Sequence, residues 1–309
     1  MKKLALTLSI LFCAPAAFGA LYTQDFEVDP TATWTINDPG ISDTASDFFF
    51  DYSTVGIPPA PNGSGGSRGM KLQANLTGGV FSGYSVSPTG QDFGSSYRVT
   101  FDWWANFNGP FPGGGSGSTN LSTFGVGTAG TSAQWPGGVQ DSVWFGATGD
   151  GGSSVDWRAY STAAGTGYPD GSPVFSAAGT GNRNNTHPYY AGFGNVPAPA
   201  AQLALYAQQT GNTAVGSAGM AWHEVEIVKE AGLITWFVNG LQIAQVDEST
   251  VSLAGGNIFF GHSDINATSS ADPNAPALLF TLIDNVVVIP EPATLALLAL
   301  GGLALLRKR

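Results

Sequence analysis

Cysteine is almost missing from this chain of 309 residues: Cys13 is the only one. It lies in the apolar leader described below, so the remainder of the chain has no disulfide, no thiolate chemistry and no cysteine-based zinc site. Bulky Phe12 stands before it, which makes a poor lipoprotein site. Cationic residues are scarce too, with 11 Lys and Arg against 22 Asp and Glu. Five of the cationic residues sit at the two ends (Lys2, Lys3, Arg307, Lys308, Arg309), and Glu291 is the one acid there. The region between carries six cations and 21 acids, a net charge of −15. That balance disfavours nucleic acid and anionic membrane surfaces as partners. Helical periodicity is nearly absent between the ends, and no internal repeat or interdomain linker is visible. His187, His223 and His262 are far apart and show no metal-ligand spacing.

What is present begins with the ends. Met1-Lys2-Lys3 forms a basic start, Leu4 to Phe12 an apolar run, and Ala17-Phe18-Gly19 a small-residue cleavage site. This is the pattern of a secretory signal peptide over residues 1–19. At the far end, Ala293 to Leu306 is uncharged and closes on Arg307-Lys308-Arg309. Fourteen residues make a helix of about 21 Å, short for a bilayer core of about 30 Å. It lacks the polar stripe of a core helix, and the basic cluster is a stop-transfer signal. The expectation is a short C-terminal transmembrane helix that holds the chain briefly at the inner membrane.

Between the ends, aromatic and β-branched residues alternate with polar ones. In "SSYRVTFDWWANF", Tyr97, Val99, Phe101 and Trp103 share one face, and Arg98, Thr100 and Asp102 the other. In "WHEVEIVKE", Val225 and Ile227 oppose Glu224 and Glu226. Asn239-Gly240 between two apolar runs is a strong hairpin signal. Further strands are expected at 23–28, 48–52, 70–76, 143–148, 155–161, 257–261 and 278–289. About a dozen strands without intervening helices predict one all-β domain over residues 20–289, an antiparallel β-sandwich with long Gly-rich loops at 58–66, 109–117 and 163–199.

The tail resembles the PEP-CTERM sorting signal of Gram-negative bacteria. It has Pro290-Glu291-Pro292, a short apolar segment with Gly301-Gly302, and the basic end. The resemblance implies recognition by an exosortase-type membrane protease, loss of the tail, and delivery to the cell surface or extracellular matrix, a setting often associated with exopolysaccharide. The order "WHEVEIVKEAGLITWFVNGLQIAQV", "NIFFGHSD", "LLFTLIDNVVV", with an early "QDFE", resembles the concanavalin A-like (laminin G-like) lectin and glucanase family. That family implies a jelly-roll sandwich and is shared by lectins, hydrolases, lyases and structural modules. It also implies pairing of the first and last strands, which would bring Asp25 or Glu27 toward Asp284, where the fold often carries structural calcium.

Glycosidases place two carboxylates about 5–9 Å apart. Glu224, Glu226 and Glu230 lack the middle Asp of the glucanase signature, and the third acid comes one residue late, so they read as a solvated strand face. Gly125 to Gly130 matches G-x-G-x-x-G, but no βαβ unit follows. "GDGGSSVD" (149–156) lacks the acid spacing of an EF-hand and reads as a hairpin connection. Sugar binding uses exposed aromatic faces beside polar groups. The candidates are Trp135, Trp157, Tyr189 and Tyr190, whose alternative role is to cover the sandwich edges. Trp103, Trp222 and Trp236 read as core. The expectation is a non-enzymatic, exported protein that binds carbohydrate or exopolysaccharide. The alternatives are a glycan hydrolase or lyase on the same fold and a purely structural matrix protein.

Overall fold

The computed structural model describes residues 19–40, 43–74, 76, 80–138, 141–160, 174–176, 183–265 and 272–291. The expected signal peptide up to residue 18, Pro292, and the expected C-terminal helix with its basic end lie outside these. Among the described residues no helix is long and apolar enough to cross a membrane.

Fifteen strands dominate the described chain, and, unlike the helix-free reading of the sequence, two short helices at Ala200–Leu205 and Ala275–Leu278 and four 3-10 turns interrupt them. The strands are β1 (Tyr22–Gln24), β2 (Trp34–Asn37), β3 (Ala45–Asp51), β4 (Arg68–Gln73), β5 (Gly83–Pro88), β6 (Tyr97–Asn106), β7 (Asn120–Thr128), β8 (Val143–Thr148), β9 (Trp157–Tyr160), β10 (Val174–Ser176), β11 (Trp222–Glu230), β12 (Leu233–Val238), β13 (Leu241–Asp247), β14 (Asn257–Asp264) and β15 (Phe280–Pro290). The larger, nine-stranded sheet has the order β10-β13-β12-β11-β6-β15-β4-β3, with β1 added alongside β15. The smaller has the order β2-β5-β14-β7-β8-β9. All named pairings are antiparallel, and the two sheets pack face to face as a sandwich.

Alternation explains the packing. Tyr97, Val99, Phe101 and Trp103 of β6 are at most 2% exposed and face the smaller sheet. Phe101 and Trp103 meet Phe124 of β7 edge-on at 5.2 and 5.4 Å between centroids, and Trp236 of β12 meets it at 5.5 Å. Aromatic rings thus span the gap between the sheets in their preferred tilted geometry. The Asn239-Gly240 turn joins β12 to β13 as expected, with both residues at positive φ (51° and 75°). That is the backbone a two-residue hairpin needs to match strand twist.

Several strands depart from the sequence reading. The expected first strand stops at Gln24, because Phe26 takes φ 57° to bury its ring against Trp34 at 5.9 Å. Strands β2, β5, β10 (inside the expected 163–199 loop) and β7 lie outside the expected set. The last contains Gly125 and Gly127, so the G-x-G-x-x-G match is a sheet segment rather than a phosphate loop. A Cβ on Gly125 would lie 2.4 Å from Trp144 Cβ, so close strand packing accounts for that glycine.

A second apolar cluster covers one end of the larger sheet's outer face. Trp104, Phe280 and Leu282 point outward there and are buried beneath Tyr52, Ile57, Ala198 and Met220. Trp222 is half-buried at the margin of this cluster, not in the main core. Further along the same face the cover ends, and polar residues reach a cavity.

Candidate functional site

The open part of that face is organised around one row of acids. Glu224 of β11 is the cross-strand partner of Asp102 of β6, and Asp102 is the partner of Asp284 of β15. Directly opposed residues share a face, with Cβ atoms about 5 Å apart. Three carboxylates therefore stand side by side on adjacent strands. No spacing along the chain reveals this, because the three positions are far apart in sequence.

Each acid is held in place. After Asp284 the register with β6 shifts, and Asn285 adopts φ 53°. This bulge turns the Asn285 side chain inward, where Nδ2 donates to Asp102 Oδ2 at 2.8 Å. From the loop at 58–66, Asn62 donates its backbone N–H to Asp102 Oδ2 at 3.1 Å and Nδ2 to Oδ1 at 2.7 Å. The same Nδ2 lies 3.2 Å from Glu224 Oε2. Glu224's backbone is clamped in turn: its N–H donates to Asn239 Oδ1 at 2.9 Å, and its carbonyl accepts from Asn239 N at 2.8 Å. Asn239 Nδ2 also contacts buried His223 Nδ1 at 3.0 Å, while His223 Nε2 lies 2.8 Å from Ala218 O. Burial pushes the His223 pKa down to about 4, so the ring is neutral and can accept at Nδ1 while donating at Nε2.

The glycines of the 58–66 loop have a specific use here. A Cβ on Gly63 would fall 2.7 Å from Asn285 Oδ1, and one on Gly66 would fall 1.8 Å from Glu27 Oε1. The loop can lie against both side chains only because it carries none of its own at these positions.

Asp284 is 3% exposed and Asp102 fully buried. Burial raises the pKa of Asp284 to about 7; neighbouring Asp102 and Glu27 push it further, while the Asn285 N–H and Tyr52 hydroxyl hold it back. Burial also raises Asp102, against the hydrogen bonds from Asn285 and Asn62. The Tyr52 hydroxyl lies 3.1 Å from both Asp284 Oδ2 and Gly66 O and accepts from Ala60 N at 3.2 Å.

Beside this row, with only Glu224 of the three acids in its wall, opens a cavity of about 420 Å³ lined by Thr23, Gln24, Asp25, Asn62, Thr100, Phe101, Glu224, Asn285, Val286 and Val287. The volume is in the range of small-ligand sites. Asp25 and Glu224 give the lining negative charge, and every other lining side chain is neutral.

The expected loop aromatics do not present ring faces. Trp157 is 1% exposed, stacks on Tyr190 at 5.1 Å and 11°, and donates Nε1 to Gly216 O at 3.1 Å. Tyr190 is fully buried. Trp135 is 4% exposed and lies against the backbone of Gly137 and Gly138 and the ring of Phe81. Tyr189 is half-buried, and its hydroxyl donates to Gln242 O at 2.7 Å. In place of the expected sugar platform, these rings close the sandwich edge, because burying a large aromatic surface outweighs leaving it wet.

The first and last strands do pair, with Tyr22, Thr23 and Gln24 opposite Val288, Val287 and Val286. Asp25, Glu27 and Asp284 are thereby drawn into one neighbourhood, but their oxygens turn to donors within the chain. Asp25 Oδ1 accepts from Glu27 N at 3.2 Å, Glu27 Oε1 from Arg68 N at 3.1 Å, and Asp284 Oδ1 from Asn285 N at 2.7 Å. Among the described residues no three His, Cys, Asp or Glu side chains gather as metal ligands. Calcium needs several converging oxygens, and these bonds occupy one oxygen of each acid in the expected trio. The acids of 149–156 are likewise committed. Asp150 accepts from Ser118, Thr119 and Gly152, and Asp156 from Thr148, Ser153 and Asn185, so the segment is the β8–β9 connection.

The sequence shows Asp102 as an outward-facing strand residue and Glu224 as part of a same-strand acid set with Glu226 and Glu230, and it gives Asn62 and Asn285 no part in a site. The available signal was the Asp-Asn step inside an otherwise apolar closing strand.

Comparison with curated proteins gives no match. Solved structures give resemblance in overall shape. A protein of unknown function with a galectin-like fold from Bacillus subtilis is 12% identical over 88% of this chain and 97% of its own, at a TM-score of 0.46. The Bacillus licheniformis β-glucanase is 12% identical over 88% and 99%, at 0.41. A carbohydrate-binding module from Bacillus subtilis is 6% identical over 81% and 97%, at 0.38. Residues 288–309 match the PEP-CTERM protein-sorting motif, so the chain carries at its C-terminus a signal that implies export, surface sorting and exosortase processing.

Proposed function

We propose that this is an exported cell-surface or extracellular-matrix protein, non-enzymatic, that binds carbohydrate such as exopolysaccharide in the cavity beside the Glu224–Asp102–Asp284 row, where Glu224 reaches the wall. One observation carries the reading: a polar cavity whose amide and carboxylate groups are fixed by internal hydrogen bonds before any ligand arrives. Sugar hydroxyls donate to carboxylates and exchange hydrogen bonds with amides, and fixed partners reduce the ordering cost of binding. The negative lining favours neutral or amine-bearing sugars over uronates. Glycan-array screening followed by calorimetry tests this. Binding that weakens in Glu224→Ala and Asn62→Ala supports it; no binding across neutral, basic and acidic polysaccharides overturns it in favour of a structural matrix protein.

The neighbouring carboxylates favour a second reading, a glycan hydrolase or lyase, because Asp284 is raised to about 7 beside Asp102. A general acid must come within about 3 Å of the glycosidic oxygen. Asp284 is instead 3% exposed and roofed by Tyr52 and Asn285. Release of reducing ends or unsaturated products by the wild type, lost in Asp284→Asn, would establish the enzyme.

A further inference from the structure

The closing strand and the sorting motif share residues. The motif match begins at residue 288, yet Val288, Ile289 and Pro290 pair in register with Val99, Arg98 and Tyr97 of β6. Val288 is fully buried and also faces Tyr22 of β1. Glu291 is held just beyond the strand. Arg98 Nε donates to Glu291 Oε1 at 2.6 Å, and Arg98 Nη1 donates to Glu226 Oε2 at 2.9 Å. The Glu291 side chain is 7% exposed, against 26% for Glu226. Of Arg98's two carboxylate partners, the motif residue is therefore the more enclosed, and charge-assisted bonds of this length are the strong ones. A protease that reads Glu291 as a free acidic side chain must first take it from Arg98.

We infer that Arg98 retains Glu291 as part of the folded domain, so that sorting cleavage falls beyond Glu291 and leaves Pro290 and Glu291 on the mature protein. In that step the peptide C–N bond after Glu291 or a later residue breaks. The carbonyl carbon passes to the protease nucleophile, and the departing amine takes the nucleophile's proton. The acyl group then passes to water or a primary amine, whose proton restores the nucleophile. The inference rests on the motif match and the ion pair and is independent of the glycan reading.

The test uses the full chain, produced in an exporting host together with its sorting protease. Intact mass and C-terminal peptide sequencing of the surface form locate the end. The expected wild-type end is Glu291 or later. Arg98→Ala is expected to add ends at or before Pro290 and to raise the ratio of processed to unprocessed chain. Glu226→Gln, which leaves the Arg98–Glu291 contact intact, is expected to keep the wild-type end and ratio. A wild-type end at or before Pro290 overturns the inference, as does a folded Arg98→Ala protein with unchanged ends and ratio. If Arg98→Ala does not fold, the wild-type end decides alone.

Discussion

The two faces of β6 are interleaved residue by residue and follow different rules. The inner face, Tyr97 to Trp103, meets the smaller sheet along its length and is uniformly buried. The outer face carries Arg98, Thr100, Asp102 and Trp104, and each has a different fate. Trp104 lies under the second apolar cluster, Asp102 under two asparagines, Thr100 at the cavity wall, and Arg98 between two glutamates. One face is set by a sheet, which offers a continuous apolar surface. The other is set by whichever loop or strand end arrives, so its chemistry changes every two residues. Stability should therefore concentrate on the inner face and ligand recognition on the outer.

The largest effect should come from the inner face. Trp236→Ala removes a fully buried ring that contacts Phe124, Phe145 and Trp157. We expect a loss of about 3–5 kcal/mol in denaturant unfolding. A loss under about 1 kcal/mol would show that the inner face is not the stabilising one.

Asp284→Asn probes the boundary between the faces. A carboxyl raised to about 7 in the folded state binds its proton more tightly there than in the unfolded chain. Its contribution to stability is complete below about pH 4 and is lost as pH rises to about 7. Wild type should lose stability relative to the variant across that window, by up to ~4 kcal/mol. Buried His262 and His223, pushed down to about 3 and about 4, act in the opposite sense by destabilising the fold as pH falls below about 6.5. The difference between the two unfolding curves, not the wild-type curve alone, is the measurement. A pH-independent difference would remove Asp284 as a buried acid.

Glu224→Ala sharpens the outer-face claim. The side chain is exposed, so unfolding should shift by no more than about 0.5 kcal/mol. Glycan affinity should fall at least about tenfold, or ~1.4 kcal/mol. Unchanged affinity would move the site elsewhere. The smallest effect is expected from metal removal: chelation should leave the melting temperature unchanged, since the acids near β1 and β15 are engaged within the chain. A clear drop would restore calcium to that neighbourhood.

The alternation of β6 and β11 made the sandwich legible, because a period of two admits only one face to a core. The Asn239-Gly240 turn was legible because its backbone demands those residues. Trp135 and Tyr190 misled for a physical reason. A tryptophan or tyrosine among glycines and prolines has the same local sequence whether its loop waves in solvent or folds back over a sheet edge.

The sequence by itself determined the strand periodicity, the hairpin and the terminal sorting motif, since each depends on neighbours within a few residues, and its single cysteine excludes an intrachain disulfide. Only the tertiary structure decided that Asp102, Glu224 and Asp284 form one row beside a cavity, that the loop aromatics are sealed, and that Arg98 grips Glu291. Those facts depend on strand order, register and loop placement between segments distant in sequence, which the burial of both sheets as a whole selects.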